Sequence, residues 1–298
     1  MYVVLGASGN TGHVVAQGLL GAGKKVRVVS RNADHLQFLA AKGAETFVAD
    51  VTDAQALTKA FNQADAAYVL LPPNPTSNDF RGFQTRVSDA IAKALQDTGV
   101  KNVVSLSSFG ADKPSGTGPI AGLHDMEEKL NRLNANVLHL RAGYFMENTL
   151  AQAGVVRTIG SAVGPLRPDL KLPMIASCDI GKAAADALLR FEFGGKQIQE
   201  LLGQRDLNYI EATSIIGKAI GKPDLKYMQA PNDQLRAAMV QMGMSDNFAG
   251  LILEMAAGLN SGKIGALEPR NSRNTTTTTF EDFVAEFFVP AYQQQAAA

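Results

Sequence analysis

The feature that most constrains the fold of this chain is an apolar strand at its N-terminus that runs directly into three evenly spaced glycines. Residues 3–12 read VVLGASGNTG, and a helical pattern follows. Gly6 permits a tight turn, Gly9 lets backbone amides approach a pyrophosphate, and Gly12 lets the helix pack closely on the strand. An ordinary glycine turn is the alternative, but the strand–turn–helix context favours a dinucleotide loop at a helix N-terminus. The residues predicted to bind the phosphates are Gly6, Ser8, Gly9, Asn10, Thr11 and Gly12.

Short apolar runs alternate with helix-period segments between Tyr2 and about Leu140, which is the pattern of βαβ units around a parallel sheet. Most of these runs are rich in Val and Leu, as expected of strands that are buried on both faces. The predicted strands are Tyr2–Leu5, Lys25–Ser30, Glu45–Ala49, Ala67–Leu71, Asn102–Leu106 and Asn136–Leu140. The predicted fold class is therefore α/β, a Rossmann-type doubly wound parallel sheet.

Three local signals predict where helices begin or end. Thr52 followed by Gln55 predicts a capping box, and Asn208 followed by Glu211 predicts another helix start. Gly99 stands where a left-handed cap would end the helix between the fourth and fifth strands.

After Gly143 the pattern changes to helices with scattered strands and Gly/Pro breaks. No linker is long enough to separate an independent domain. We expect residues 1–150 to form a nucleotide-binding Rossmann domain. Residues 151–298 are expected to form a smaller, mostly helical lobe that covers the substrate and interleaves with the last Rossmann strands.

The charge balance and the cysteine content exclude several classes of protein. The 28 Lys and Arg residues balance 28 Asp and Glu residues without a basic run, so neither a nucleic acid nor an anionic membrane is an expected partner. The single cysteine, Cys178, can form no intramolecular disulfide, and no residue set has metal-ligand spacing. No apolar run is long enough to span a bilayer. We therefore expect a soluble cytoplasmic protein with a small-molecule substrate and no metal, and a homodimer is left open.

The end of the second predicted strand indicates which dinucleotide is bound. An NAD-specific protein carries an acidic residue about twenty residues after the loop, where it binds the ribose 2′-hydroxyl. Here the strand ends in Ser30 and Arg31, followed by Asn32. An arginine can pair with a 2′-phosphate through two hydrogen bonds and stack on adenine. Although Arg31 could be an ordinary solvated side chain, this position favours NADP(H) as the cofactor.

Four motifs, including the glycine loop, lie at or after the ends of predicted strands. They are GxxGxxG in the loop, Ala49-Asp50-Val51-Thr52-Asp53, Val104-Ser105-Leu106-Ser107-Ser108, and Leu140-Arg141-Ala142-Gly143-Tyr144-Phe145-Met146-Glu147-Asn148. With these motifs the chain resembles the NmrA-like group of atypical short-chain dehydrogenases/reductases, which includes NADPH-dependent quinone oxidoreductases and triphenylmethane reductases. The closing segment Thr279-Phe280-Glu281-Asp282-Phe283 is also similar to that group.

The resemblance implies where each part of the cofactor lies. Asp50 and Val51 would flank the adenine, and Leu71 and Pro72 would flank the ribose and the pyrophosphate. The residues implied at the nicotinamide are Ser107, Tyr144, Phe145 and Met146. These positions follow the carboxyl ends of parallel strands, where an open α/β sheet binds its ligand. For Asp50, a role as a helix-start residue is an equal alternative.

The superfamily's usual proton donor is missing. Typical members use a Tyr-x-x-x-Lys pair on the helix after the fifth strand, and these positions fall on Ile120 and His124 here. His124 could replace the tyrosine because imidazole titrates near neutral pH, although a ribose contact or simple solvation would also explain it. Ser107 and Tyr144 are the alternative catalytic residues. Glu127, Glu128 and Lys129 are expected to form a charged outer face.

These observations leave three functions in order of preference. The first is NADPH-dependent reduction of a small quinone, carbonyl or conjugated compound by hydride transfer. The second is a non-catalytic dinucleotide sensor of the NmrA type, which the missing tyrosine favours. Sugar-nucleotide epimerisation ranks lowest because it depends on the Tyr-x-x-x-Lys pair. Met239, Met242, Met244 and Met255 could line a substrate pocket, although methionines at helical spacing more often lie in a core.

Overall fold

A parallel sheet forms the centre of the protein, whose computed structural model describes residues 1–294. Within these residues the sheet has seven strands in the order β10-β6-β5-β4-β1-β2-β3. The strands are β1 Tyr2–Leu5, β2 Val26–Ser30, β3 Glu45–Val48, β4 Ala66–Val69, β5 Asn102–Ser108, β6 Asn136–Ala142 and β10 Lys196–Leu201. All neighbouring pairs are parallel. The predicted Rossmann-type fold is confirmed, and the six predicted strands are all present.

Helices cover both faces of the sheet because side chains alternate along each strand. On β1, Val4 points into the core beneath α1 and α7, whereas Val3 and Leu5 point into the core beneath α3, α4 and α5. The helices in these two layers are α1 Asn10–Gly21, α2 Gln37–Ala41, α3 Ala54–Phe61, α4 Phe80–Thr98, α5 Ile120–Asn131 and α7 Ser177–Arg190. The strand β1, which leads into the glycine loop, is thus fixed between two apolar layers.

The remaining elements form a lobe at one end of the sheet. Its helices are α6 Gln152–Ile159, α8 Tyr209–Ala219, α9 Asn232–Gln241, α10 Asp246–Asn260, α11 Phe280–Phe283 and α12 Val289–Gln294. Its short strands are β7 Tyr144–Phe145, β8 Ala162–Gly164, β9 Leu172–Ile175, β11 Arg205–Leu207 and β12 Tyr227–Gln229. They pair as β11-β9-β7 and β12-β8 around a separate apolar core that includes Phe280, Phe283 and Phe288.

The chain returns from this lobe to the central sheet. β10 pairs with β6, and α7 packs on α1, so residues 177–201 lie in the nucleotide-binding layer. The division into residues 1–150 and 151–298 stays a prediction, and residues 295–298 of the second range lie outside the described residues. No helix in residues 1–294 is sufficiently long and apolar to cross a membrane.

The local helix signals had mixed outcomes. Gly99 adopts φ 66° at the end of α4, and α8 starts at Asn208 as predicted, where Asn208 and Glu211 form a capping box. The capping box at Thr52 is wrong. Asp53 caps α3 instead, because its carboxylate accepts hydrogen bonds from the amides of Gln55 and Ala56. Thr52 lies one residue before this cap, and its hydroxyl donates to the Asp50 carboxylate.

The methionines of the lobe differ in burial. No residue of α9, within the described chain, is buried, and Met242 just beyond it is 67% exposed. Met255 of α10 packs partly against the lobe core. Met242 is therefore not a core residue. A role of the four methionines in substrate binding stays a prediction.

Candidate active site

The order of the strands places a ligand site above β1. This strand lies between β2 and β4, so the connections that follow β1 and β4 diverge to opposite sides of the sheet. A crevice at such a switch point, beyond the carboxyl ends of the strands, is where open α/β sheets bind ligands. Five segments follow the carboxyl ends of strands at this edge, and they contain Gly6, Arg31, Asp50, Leu71 and Tyr144.

The glycine loop has the backbone that a phosphate-binding turn requires. Gly6 adopts φ +63°, a left-handed conformation that residues with a Cβ rarely adopt, and its carbonyl accepts the Gly9 amide at 2.9 Å. A Cβ at Gly12 would overlap this same carbonyl oxygen of Gly6. Gly12 therefore allows the first turn of α1 to pack against the loop, as the sequence predicts.

The outer part of the loop is open to a ligand. Ser8, Gly9 and Asn10 are exposed, and Gly9 is the N-cap of α1 without a side chain that would occupy the first amides. Thr11 differs, because it is buried and its hydroxyl accepts a hydrogen bond from the Tyr68 hydroxyl at 2.9 Å. Thr11 can thus offer a phosphate its backbone amide, while its side chain joins α1 to β4.

A cavity of about 280 Å³ lies beside the loop. It is lined by residues that follow β2, β3 and β4 and by the start of α4, namely Arg31, Asp50, Val51, Thr52, Pro72, Pro73, Asn74, Phe83 and Arg86. Arg31, Asp50, Val51 and Pro72 of the predicted cofactor set are therefore together. The volume is near the lower end of small-molecule sites, about 300–1,000 Å³, and suits one ring system better than a whole dinucleotide.

Asp50 is a charged acceptor in this cavity. Its carboxylate accepts hydrogen bonds from the Thr52 hydroxyl at 2.7 Å and the Thr52 amide at 2.8 Å. These bonds, together with the nearby positive charge of Arg31, hold the pKa of Asp50 below its usual value. An ionised Asp50 can accept a hydrogen bond from an exocyclic amine such as that of adenine.

Leu71 and Phe145 have less direct positions. Leu71 is half-buried against the core under α4, and its neighbour Leu70 packs close to Gly6, where an added Cβ would lie 2.9 Å from the Leu70 side chain. Phe145 packs against the core under α1 and α7. A contact with the cofactor stays a prediction for both residues.

At the other end of the crevice, Ser107 is part of a buried polar cluster. Ser107 is 2% exposed, and its hydroxyl donates to the Glu127 carboxylate at 2.5 Å. Glu127 also accepts two hydrogen bonds from Arg141, at 3.0 and 2.6 Å. The prediction that Glu127 lies on an outer face is wrong, because it is 3% exposed and paired with a buried arginine. Glu128 is exposed, as predicted.

This cluster limits what Ser107 can do. Burial alone would lower the pKa of Arg141, but the hydrogen bonds and charge of Glu127 outweigh it, and the pKa is raised. An ionised Glu127 can only accept hydrogen bonds, so it takes the one hydroxyl hydrogen of Ser107. Ser107 is therefore oriented as an acceptor towards any further partner, which argues against it as a proton donor.

Tyr144 belongs to a group of three tyrosines that joins the crevice to the lobe. The hydroxyls of Tyr144 and Tyr209 are 2.9 Å apart, and the rings of Tyr209 and Tyr227 stack at 4.5 Å. The Tyr227 hydroxyl donates to the carbonyl of Leu166. Burial raises the pKa of Tyr144, and that of Tyr209 still further. Both phenols therefore stay protonated at neutral pH.

His124 lies on the first turns of α5 and is half-buried. Its Nδ1 is 2.8 Å from the carbonyl oxygen of Ala111, which can only accept, so Nδ1 carries a hydrogen. No hydrogen bond to Nε2 occurs among residues 1–294. Ile120, one turn earlier, is buried in the lobe core. The position at which the sequence pattern would place the tyrosine of a Tyr-x-x-x-Lys pair thus carries a buried apolar side chain.

Sequence reasoning missed two residues near the crevice, Arg86 and Tyr209. Each reaches its place through the packing of elements far apart in the chain, which no local motif indicates.

In the described part of the chain, no cluster of three or more His, Cys, Asp or Glu side chains could hold a metal ion.

The chain is similar to several known oxidoreductases. The sequence profile of the NmrA-like family matches residues 2–284. An NAD(P)H azoreductase from Xenophilus azovorans is 26% identical over 259 residues, which cover 86% of this chain and 86% of the azoreductase. The crystal structure of an NADPH-dependent quinone oxidoreductase from Escherichia coli superposes with a TM-score of 0.78 at 25% identity, covering 97% of this chain and 100% of that chain.

A third similarity concerns the fold alone. The structure of a triphenylmethane reductase from Citrobacter sp. superposes with a TM-score of 0.79 at 18% identity, covering 97% of this chain and 99% of that chain. The central sheet and the lobe are thus an architecture that both solved structures share over most of their length.

Proposed function

This chain belongs to the NmrA-like family, as its motifs predicted, and we propose that it is an NADPH-dependent oxidoreductase that reduces a small quinone or another conjugated acceptor. The observation that carries the proposal is the arginine-bearing cavity next to the open glycine loop. Arg31 follows β2 at the position where an NAD-specific protein holds a carboxylate, which favours a cofactor with a 2′-phosphate.

The residues of the crevice fit an adenine dinucleotide along its whole length. The first backbone amides of α1, those of Asn10 and Thr11, would bind the pyrophosphate, and Arg31 would pair with the 2′-phosphate. Asp50 and Val51 would contact the adenine. The nicotinamide ring would then lie near Ser107 and Tyr144, beyond the ends of β5 and β6.

When bound, NADPH supplies the hydride, so the protein has to orient the ring, exclude water and supply one proton. Reduction of a quinone adds this hydride and a proton, giving the hydroquinone and the oxidised cofactor. Tyr144 and His124 are the candidate proton sources, whereas Ser107 is held as an acceptor by Glu127. A sparse polar site of this kind is compatible with an electron-poor substrate that accepts a hydride readily.

The similar proteins support this class of substrate. One is named for the reduction of azo compounds and the other for that of quinones. Both groups are conjugated acceptors of two electrons. A carbonyl compound is a weaker alternative, because an alkoxide product depends more strongly on a positioned acid, and Ile120 replaces the usual tyrosine.

A non-catalytic dinucleotide sensor is the second candidate, and the buried Ile120 is the observation that favours it. A sensor would bind NADPH through the same loop and cavity without turning it over. The two candidates therefore differ in turnover and agree in affinity.

One experiment separates them. NADPH and NADH are titrated by fluorescence, and NADPH oxidation is followed with quinones, azo dyes and aldehydes. We expect tighter binding of NADPH and turnover with quinones or azo dyes. Arg31→Ala should weaken NADPH binding roughly 10- to 150-fold, the value of a charge-assisted hydrogen bond, and leave NADH binding nearly unchanged. Arg132→Ala, an exposed arginine at the end of α5, is the matched control.

The negative results are equally specific. Binding of NADPH without turnover of any acceptor would favour the sensor. Equal losses of NADPH and NADH affinity in Arg31→Ala would contradict the assignment of the 2′-phosphate to Arg31.

A further inference from the structure

The helix α4 forms part of the wall of the cavity proposed for the adenine. Phe83 and Arg86 are three residues apart and therefore lie on one face of this helix, and both line the cavity. Phe83 is half-buried and packs against the core beneath α4, with its ring 6.2 Å from that of Phe80. Phe83 is therefore held by its packing, whereas the side chain of Arg86 is exposed.

Arg86 is not committed to another partner. Its closest carboxylate is that of Asp79 at 3.6 Å, and the two side chains are 58% and 69% exposed. Asp79 already serves as the N-cap of α4 by accepting the Gly82 amide. An exposed pair at this distance contributes little, so Arg86 can reorient towards a ligand at small cost.

We propose that Arg86 binds the adenine of the cofactor by stacking its planar guanidinium on the base, opposite the side from which Arg31 approaches. The inference rests on the proposed function, since it requires an adenine dinucleotide in the cavity. Guanidinium planes stack on aromatic faces and on nucleobases. The base would then lie between α4 and the residues after β2, while Asp50 accepts a hydrogen bond at its edge.

The assignment to the base and not to the 2′-phosphate follows from the positions of the two arginines. Arg31 follows β2, next to the glycine loop, where the hydroxyls of Ser8 and Ser30 are 3.4 Å apart. The ribose must lie on this side, because it is linked directly to the pyrophosphate. Arg86 belongs to α4, which packs on α3 and follows β4, so it reaches the cavity from a different element than Arg31.

This division of roles predicts two different affinity patterns. A stacking contact is present in every adenine dinucleotide, whereas a contact with the 2′-phosphate is present in NADPH alone. Arg86→Ala should therefore raise the Kd of NADPH and of NADH by the same factor, roughly 3- to 30-fold for a cation–π contact. Arg31→Ala should affect mainly NADPH.

The experiment is a fluorescence titration of both dinucleotides with the full-length protein. Arg86→Lys keeps the charge without the plane and should recover less than half of the loss on a logarithmic scale. Lys93→Ala removes one exposed charge from the same helix and is the control for the overall field. Urea unfolding of each variant checks that the fold is intact, which is expected because these side chains are exposed.

Three outcomes would overturn the role of Arg86 while leaving the proposed function intact. They are unchanged affinities in Arg86→Ala, a loss confined to NADPH, and full recovery in Arg86→Lys. A wild-type protein that binds neither dinucleotide would refute the proposed function itself and this inference with it.

Discussion

Replacing Glu127 with Gln tests the buried polar cluster below the crevice. The substitution keeps the size of the side chain and removes its charge, so the guanidinium of Arg141 loses its buried partner. Arg141 is 5% exposed and Glu127 is 3% exposed, so water cannot compensate within the native structure. Glu128, the next residue, is exposed and provides a matched control in Glu128→Gln.

The magnitude follows from the contacts of the carboxylate. Glu127 accepts two hydrogen bonds from Arg141 and one from Ser107. Removing one partner of a buried ion pair costs about 3–5 kcal/mol, because the other charge stays buried without compensation. Domains of ordinary stability unfold with about 5–15 kcal/mol, so the variant should lose a large part of its stability. Glu128→Gln should change it by less than about 0.5 kcal/mol.

Urea unfolding followed by circular dichroism measures both variants, since urea, unlike guanidinium chloride, adds no salt that screens charges. If Glu127→Gln does not fold, the double variant Glu127→Leu/Arg141→Met provides the second measurement. It removes both charges and should be more stable than the single variant, as apolar replacements of buried pairs often are. A loss below about 1 kcal/mol in Glu127→Gln, or a double variant less stable than the single one, would refute this reasoning.

Two further predictions concern the loop and the tyrosines. Gly9→Val should fold, because residue 9 is exposed with an extended backbone and the added Cβ needs only a small shift of the Gly6 carbonyl oxygen, 3.3 Å away. The variant should abolish binding of both dinucleotides in a titration. Gly12→Ala should lose about 1–3 kcal/mol in urea unfolding because its Cβ overlaps the Gly6 carbonyl. Normal binding by Gly9→Val would exclude this loop as the phosphate site. Tyr209→Phe and Tyr227→Phe should each lose about 0.5–1.5 kcal/mol of stability. Of the two, only Tyr209→Phe should alter kcat, because the Tyr209 hydroxyl contacts that of Tyr144, whereas the Tyr227 hydroxyl donates to the Leu166 carbonyl. Equal kinetic effects of the two would indicate a purely structural role.

The sequence predicted those strands and helices in which the pattern of apolar residues follows the pattern of burial. β1 is buried on both faces and reads as a continuous apolar run, whereas β10 reads Lys-Gln-Ile-Gln-Glu-Leu and was missed. As an edge strand its first residues are exposed, so they carry no apolar signal. The glycine loop was predictable because its spacing reflects local backbone geometry.

The burial of Glu127 could have been predicted from its position on α5, although its charge suggested an exposed side chain. Leu123, Glu127 and Leu130 are spaced as one face of a helix, so Glu127 lies within the stripe that packs on the sheet. Arg141 likewise continues the apolar strand β6. Two opposite charges on facing apolar elements predict a buried pair. Arg86 gave no such signal, because its place in the cavity depends on how α4 packs against α3.

The pH dependence of the rate distinguishes the two proton sources. Because Nδ1 of His124 donates to the Ala111 carbonyl, Nε2 can give up a proton only when the ring is charged, so with His124 as the donor the rate should fall as the pH rises. Burial raises the pKa of Tyr144, so a phenol donor would stay protonated and the rate would show no fall at neutral pH. With a carbonyl substrate, His124→Ala should lower kcat about 10²–10⁴-fold, remove the falling limb and leave NADPH affinity unchanged. An unchanged rate and profile would exclude His124, and a comparable loss in Tyr144→Phe would then identify the phenol as the donor.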